Sequence, residues 1–187
     1  MKINAIDIRV GNLLEYNGKL WTVLKTMHTQ PGKGGAYMQV EMKDIINHTK
    51  NNIRFRSSEN VERISLEQKE YQFLYASDDS LELMGTVEFD QISVPKELSG
   101  ESLPFLQEGM VVTLDFYKES PISITFPDSA VCEVVECEPV VKGQTATSSY
   151  KPALVDNGLR IMVPPFIGVG NKIVVKIETQ EYVERAK

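Results

Sequence analysis

The sequence predicts an all-β protein made of three small β-barrels in a row. Its 187 residues suit two or three compact modules. Apolar residues alternate with polar ones along many short segments, which is the period of a half-buried strand. About five such strands per module, separated by turns, are typical of small antiparallel barrels that bind oligonucleotides or oligosaccharides. We place the modules at residues 1–62, 63–127 and 128–187.

Short strands and tight turns define the first module. Asn17-Gly18 is a strong signal for a hairpin turn between strands predicted at 13–16 and 20–24. Segment 21–28 is rich in β-branched and aromatic residues and continues this strand. After it, Ala36, Met38, Val40 and Met42 alternate with polar residues. We therefore expect a second hairpin here, followed by a turn at 49–52 and a strand at 53–56.

The loop of this second hairpin, which we call the tip loop (residues 29–36), is rich in proline and glycine. Pro31 fixes its own φ, and Gly32, Gly34 and Gly35 can adopt backbone conformations closed to other residues. Lys33 is the only long side chain between Gln30 and Ala36. We expect the lysine at the apex of a projecting loop. An ordinary turn with a solubilising lysine explains the same pattern, so the hairpin alone does not settle function.

The two later modules continue the strand pattern. Between Pro95 and Gly109 we expect one short helical turn, and Lys142 begins a polar loop that reaches Lys151. The proline-rich segment 163–167 must lie at an edge or at the end of a strand, because proline cannot donate to a ladder. Strands are predicted at 70–75, 81–84, 110–117, 122–126, 130–137, 158–163, 172–178 and 181–185.

Charge is unevenly distributed along the chain. The formal net charge is −6, but it divides into +3 for residues 1–62, −8 for 63–127 and −1 for 128–187. The lysine of the tip loop therefore lies on the one basic module. A basic end can approach phosphate while an acidic remainder limits indiscriminate binding to nucleic acid.

No conventional active site is recognisable. The two histidines, His28 and His48, have no cysteine or serine neighbour in a nucleophile context, and the tip loop lacks the spacing of a phosphate-binding loop. Cys132 and Cys137 are five residues apart, so we expect them on opposite faces of a strand as free thiols, not as a redox pair or zinc site. We expect no catalytic residue, metal or cofactor, no membrane partner, and a cytoplasmic location.

The C-terminal region carries a long motif, and further matches lie elsewhere in the chain. They include the opening Asp7 to Gly11, the tip Pro31-Gly32-Lys33-Gly34 and Phe89-Asp90-Gln91. The residues of the C-terminal motif are Lys151, Ala153, Gly158, Ile161, Val163-Pro164, Ile167 and Gly170, followed by Tyr182 and Arg185 near the C-terminus. With these matches the whole chain closely resembles bacterial elongation factor P.

The resemblance implies an L-shaped mimic of tRNA, with a KOW/SH3-like barrel followed by two OB-fold barrels. It implies a monomeric translation factor that binds both ribosomal subunits and rRNA between the P and E sites and relieves stalling at consecutive prolines. The lysine matching Lys33 reaches the acceptor end of the peptidyl-tRNA. In many members a dedicated enzyme extends that lysine, commonly with a β-lysyl group.

Several points stay open at this stage. Gln30 stands where many members carry a basic residue, which leaves the type of modification undetermined. Tyr182, Arg185 and Lys151 are candidate tRNA or ribosome contacts, although strand and barrel structure also explain them. The alternatives are an elongation-factor-P-like paralogue, which usually lacks this tip, a non-ribosomal nucleic-acid-binding protein with OB folds, and an enzyme of unknown type. A single-strand binder would place aromatic residues in a basic groove.

Overall fold

The computed structural model describes residues 1–140 and 149–187, and it confirms the all-β fold class. The strands form one six-stranded sheet and two five-stranded sheets, accompanied by two 3₁₀ segments at Ala5–Asp7 and Lys96–Phe105. The chain divides into two compact units. The first is Met1–Glu67 with Phe116–Ile122, and the second is Gln68–Asp115 with Ser123–Lys187.

The first sheet has the strand order β1-β6-β2-β3-β4-β5. Its inner face is a continuous apolar core that includes Leu14, Trp21, Val40 and Phe55. Burying such a face is the main source of stability for a small sheet. The strand β6 runs to Ile64, past our predicted module boundary at residue 62, and the boundaries themselves stay a prediction. The strands are β1 Lys2–Asn4, β2 Leu13–Tyr16, β3 Lys19–Thr29, β4 Tyr37–Asp44, β5 Lys50–Arg56 and β6 Asn60–Ile64.

Both predicted hairpins of this sheet are present. Asn17 and Gly18 have φ of 51° and 72°, the left-handed pair that a tight two-residue turn requires. Along β4 the residues Met38, Val40, Met42 and Asp44 are buried and alternate with half-buried ones. The turn predicted at 49–52 is wrong, because β5 already begins at Lys50 and the chain reverses earlier, around the carboxylate of Asp44.

The second sheet has the order β11-β10-β7-β8-β9. The 3₁₀ segment that follows β9 confirms the short helical turn expected between Pro95 and Gly109, and it is interrupted at Gly100. The strand β9 was not predicted, because it has only five residues and ends in a proline. The strands are β7 Glu67–Ala76, β8 Ser80–Gly85, β9 Gln91–Pro95, β10 Val111–Tyr117 and β11 Ser120–Thr125.

The third sheet has the order β14-β13-β12-β15-β16. The polar loop predicted from Lys142 lies outside the described residues up to 148, and Lys151 is the first residue of an unpredicted strand, β13. Strand β14 is an edge strand that ends at Val163, directly before the two prolines, as expected. The strands are β12 Ser129–Cys137, β13 Lys151–Val155, β14 Arg160–Val163, β15 Lys172–Lys176 and β16 Glu181–Arg185.

The two cysteines lie on β12 as free thiols, but they do not face opposite sides. Cys132 is buried in the core, and Cys137 packs against the same core. A register shift between Val134 and Glu136 adds one residue to this strand and so reverses the alternation. Burial, together with the nearby carboxylate of Asp156, raises the pKa of the Cys132 thiol to about 11. A thiol with so high a pKa is a poor nucleophile.

Candidate functional site

The tip loop is carried by the longest strand of the molecule. Strand β3 has 11 residues and pairs with β4 up to the Thr29–Tyr37 pair, with one register shift between Val23 and Lys25, so the loop lies at the end of a long hairpin. Near this end of β3 the side chains of Met27 and His28 are exposed. The buried core extends along β4 as far as Met38, the partner of His28, whereas residues 32–35 of the loop are exposed to solvent.

The glycines of the tip loop differ in whether the backbone conformation requires them. Gly34 has φ of +117°, which L side chains rarely adopt, so the backbone itself demands glycine there. At Gly32 and Gly35 a Cβ would meet no atom within 4 Å, and φ lies outside the left-handed region. The folded chain has room for side chains at these two positions. Their glycines keep the loop thin, and nothing packed against them requires it.

Lys33 is exposed in the middle of this thin loop. Within residues 1–140 and 149–187, no hydrogen bond or ion pair involves its ammonium group. An ammonium group carries three donors on a flexible four-carbon stem. The arrangement can therefore offer a mobile cation to an acceptor on another molecule.

The base of the tip loop is braced by side chains from β5 and its following turn. The guanidinium of Arg54 lies 3.4 Å from the centroid of the Tyr37 ring. His28 Nε2 lies 3.1 Å from Ser57 Oγ, and the Ser57 amide donates to the Ala36 carbonyl at 3.0 Å. These contacts hold the ends of the loop and leave its middle unsupported.

A groove of about 740 Å³ runs beside this base. Arg54 and Arg56 contribute cations to its lining, and Ser57 and Ser58 contribute hydroxyls. Sequence reasoning did not single out this groove, because its walls come from two segments that are about 20 residues apart. The alternating Arg54-Phe55-Arg56 pattern on the basic module was the available signal. The groove lining consists of Gly35, Ala36, Tyr37, Arg54, Phe55, Arg56, Ser57 and Ser58.

The other sequence-predicted site residues lie on the third sheet. Tyr182 and Arg185 are on the edge strand β16, where Arg185 is exposed and Tyr182 packs edge-on against Tyr150 with ring centroids 6.5 Å apart. Partial burial, with the neighbouring Tyr150, raises the pKa of the Tyr182 phenol. Lys151 is only 8% exposed, and its ammonium donates to the Glu138 carbonyl at 2.7 Å. The Lys151 ammonium thus donates a hydrogen bond within the protein.

Two further observations bear on catalysis and on membranes. Over residues 1–140 and 149–187, no group of three or more His, Cys, Asp and Glu side chains is arranged to hold a metal ion. In the same part of the chain, no helix has the length and apolar character needed to span a bilayer.

Comparison with known proteins identifies the family. Three models match successive segments: the elongation factor P KOW-like domain at residues 4–61, the elongation factor P OB domain at 66–124 and the elongation factor P C-terminal domain at 130–185. The chain is 56% identical to elongation factor P of Zymomonas mobilis and 54% identical to that of Rhizorhabdus wittichii, with 100% of both chains covered in each case.

A solved structure supports the fold. Eukaryotic translation initiation factor 5A from Methanococcus jannaschii superposes with a TM-score of 0.57 at 21% identity, covering 67% of this chain and 94% of that chain. The likeness at this identity concerns the fold alone. Three family models in succession and full-length identity above one half show that this chain belongs to the elongation factor P family of translation factors.

Proposed function

We propose that this protein binds the ribosome between the P and E sites and stimulates peptide-bond formation at consecutive prolines. In this proposal Lys33 positions the acceptor end of the peptidyl-tRNA, and the surrounding rRNA accepts the thin tip loop. The observation that carries the proposal is the Lys33 ammonium, which is exposed and has no partner among residues 1–140 and 149–187, on a loop whose glycines at 32 and 35 the fold does not require. An external fit explains those glycines.

The chemistry of the reaction makes positioning a sufficient mechanism. Proline is a conformationally restricted nucleophile because its ring fixes φ. A factor that orders the acceptor end recovers part of the entropy that a loosely held substrate loses. A tenfold rate increase requires only about 1.4 kcal/mol, which is within reach of one or two charge-assisted hydrogen bonds. No covalent participation by the factor is needed.

An ammonium suits an RNA target. It can donate to a backbone phosphate or to a 2′-hydroxyl, and both groups are accessible in the single-stranded acceptor end. The basic module supports the approach, since residues 1–62 carry a formal charge of +3. Arg54 and Arg56 extend this charge along one side of the loop base.

We further propose that a modifying enzyme extends Lys33 covalently. The exposure of Lys33 and the absence of side chains at positions 32, 34 and 35 leave the lysine open to an enzyme's active site. A β-lysyl extension would add length and a second amine, and thus further donors. For the third module we propose Tyr182 and Arg185 as contacts with tRNA or the small subunit, whereas Lys151 shapes the sheet.

The first test removes the protein from its host. We expect slower synthesis of reporters that encode Pro-Pro-Pro, while matched reporters without a proline run change little. Re-expression of the wild type should restore the rate. Equal slowing of both reporter types would refute the proposed specificity for prolines.

The second test replaces the candidate residue. Lys33→Ala should abolish rescue of the Pro-Pro-Pro reporter, because the cation is lost, while the melting temperature and ribosome binding persist. Lys25→Ala is the matched control, since Lys25 is an exposed lysine on the same hairpin, within β3. Full rescue by Lys33→Ala, or equal loss in both variants, would contradict a specific role for Lys33.

Intact mass spectrometry of the native protein tests the modification. We expect a mass increase that maps to the peptide containing Lys33 and that disappears in Lys33→Arg. The arginine variant keeps the charge but cannot receive an amide-linked extension. If native Lys33 is unmodified and Lys33→Arg rescues fully, the bare cation is sufficient and the modification proposal fails.

A further inference from the structure

The loop between β8 and β9, which we call the Phe89 loop (residues 86–90), presents two large apolar side chains to solvent. Val87 is 83% exposed and Phe89 is 70% exposed. Single exposed apolar residues are common on protein surfaces. Two of them in one five-residue loop on an acidic module are less common, and neither contributes its side chain to the core.

The Phe89 loop is held firmly in place. The Gly85 amide donates to the Asp90 carbonyl at 2.8 Å, which closes the loop, and the Tyr71 hydroxyl donates to the Asp90 carboxylate at 2.9 Å. The Thr86 amide and hydroxyl both donate to the Glu70 carbonyl, at 3.1 and 3.2 Å. A Cβ on Gly85 would lie 2.3 Å from Asp90 Oδ1, so glycine is needed for Asp90 to occupy this position. The loop is therefore preorganised.

Phe89 adopts a backbone conformation that an aromatic residue disfavours. Its φ is 57°, in the left-handed region where glycine and asparagine are favoured. Folding gains little from this side chain, because the ring is mostly in solvent. Residues kept in disfavoured conformations by a well-braced surrounding tend to lie at functional sites. The exposed ring is therefore available for a contact with another molecule.

An acidic depression of about 290 Å³ adjoins the loop. Val87 and Tyr71 contribute to its lining, and Glu70, Glu88 and Asp90 place three carboxyl groups along it. The negative charge extends beyond the depression, since residues 68–115 contain ten Asp and Glu and only two Lys. One of these lysines, Lys69, also lines the depression and lies 3.9 Å from Glu88, so the three carboxyl groups there still outnumber the cation.

We propose that the Phe89 loop is a docking anchor for a basic protein of the ribosome. Phe89 and Val87 enter an apolar pocket on that protein, and a Lys or Arg at the rim of the pocket occupies the depression beside Glu70 and Glu88. A rigid aromatic anchor with a polar rim is the usual form of an interface hot spot. The inference rests on the proposed ribosomal function, and it adds a protein contact made by the middle module.

Charge decides between a protein and an RNA partner. Stacking of Phe89 on an unpaired base would bring the phosphate backbone against a surface with a formal charge of −8 over residues 68–115, which is repulsive. Single-strand binding sites combine their aromatic residues with a positively charged groove, and the surroundings of Phe89 have the opposite sign. A protein surface rich in Lys and Arg is complementary to it.

The first experiment measures binding of the full chain to purified ribosomes that carry peptidyl-tRNA stalled on a proline run. Phe89→Gly removes the ring and suits the left-handed φ, so its melting temperature should equal or exceed that of the wild type. We expect its affinity for these ribosomes to fall about thirtyfold, the lower limit for a hot-spot residue. Tyr75→Ser is the matched control, because Tyr75 is 56% exposed on the same sheet, and it should bind like the wild type.

The second experiment identifies the partner. With p-benzoylphenylalanine in place of Phe89, ultraviolet light should crosslink the loop to a ribosomal protein at a site next to Lys or Arg, and Glu88→Lys should weaken binding. Wild-type affinity in Phe89→Gly, or crosslinking to rRNA, overturns this inference and leaves the proposed function intact. Failure of the wild type to bind ribosomes at all would overturn both.

Discussion

Two loops lie at the two ends of strand β4, and they are stabilised in opposite ways. The tip loop enters the strand with supporting contacts only at its base. The loop that leaves the strand, which we call the Asp44 turn (residues 44–49), is built around a carboxylate that is 2% exposed. Asp44 Oδ1 accepts the amides of Ile46 and Asn47 at 2.8 and 3.1 Å. One strand therefore carries one loop that a buried carboxylate fixes and another loop that is held at its base.

The electrostatics of the Asp44 turn follow from the same contacts. Burial by itself opposes the charged carboxylate. The amides of Asn47 and Ile46, the Asn47 side chain and the Lys19 ammonium outweigh it and lower the pKa of Asp44 below its ordinary value. Lys19 lies 3.6 Å from Asp44 Oδ2. The anion thus stabilises the turn, whereas at the tip loop no comparable group holds the backbone in the described part of the chain.

The largest effect on folding should come from removing the carboxylate. Asp44→Ala leaves two amides and a lysine without their acceptor, so we expect the free energy of unfolding to fall by about 2 kcal/mol. Chemical denaturation monitored by Trp21 fluorescence measures it. Asp44→Asn is the control, because an amide oxygen can still accept from the backbone, and it should lose less. An unchanged stability in Asp44→Ala would show that the turn does not depend on this side chain.

An intermediate effect should appear as pH falls. Because the pKa of Asp44 is lower in the folded than in the unfolded state, its contribution is fully present above the unfolded value of about 4. It is lost as pH falls through the folded value, where protonation removes the anion from both states. The difference in unfolding free energy between wild type and Asp44→Asn should therefore shrink below about pH 4. A difference that grows toward low pH would contradict this assignment.

The smallest effects on folding should come from the tip loop, where substitutions of two glycines should differ in their effect on stability. Gly34→Ala imposes a disfavoured φ and should cost about 1 kcal/mol of stability. Gly32→Ala meets open space and should change stability by less than about 0.5 kcal/mol. If binding to the ribosome requires a thin tip loop, Gly32→Ala should nevertheless reduce rescue of Pro-Pro-Pro reporters. Thermal melts and the reporter rate, measured on both variants, check the pair, and full rescue by Gly32→Ala would argue against a narrow binding channel.

Much of the fold followed from patterns that are local in sequence. The alternation along β4 and the Asn17-Gly18 turn were predicted, because period-two burial and left-handed turn residues leave direct signatures. The Asp44 turn was misplaced by a few residues, since the sequence does not show that the Asp44 carboxylate accepts hydrogen bonds from two backbone amides. The short edge strand β9 and the interior strand β13 were missed for a related reason. Proline near a strand, Pro95 in one and Pro152 in the other, weakens the strand signal without preventing pairing at an edge or an end.

The candidate site likewise combines features that are local in the sequence with contacts that only the fold creates. The sequence by itself determined the family, the all-β class and the identity of the tip lysine, since glycine, proline and lysine at fixed spacing carry their meaning locally. Only the tertiary structure decided that Lys151 donates to the Glu138 carbonyl, 13 residues away, or that Tyr71 braces Asp90 beneath an exposed Phe89. Burial and hydrogen-bond partners depend on residues that are distant in the chain. A side chain's chemistry can therefore be named from the sequence, but whether it is free to act is decided by what folds against it.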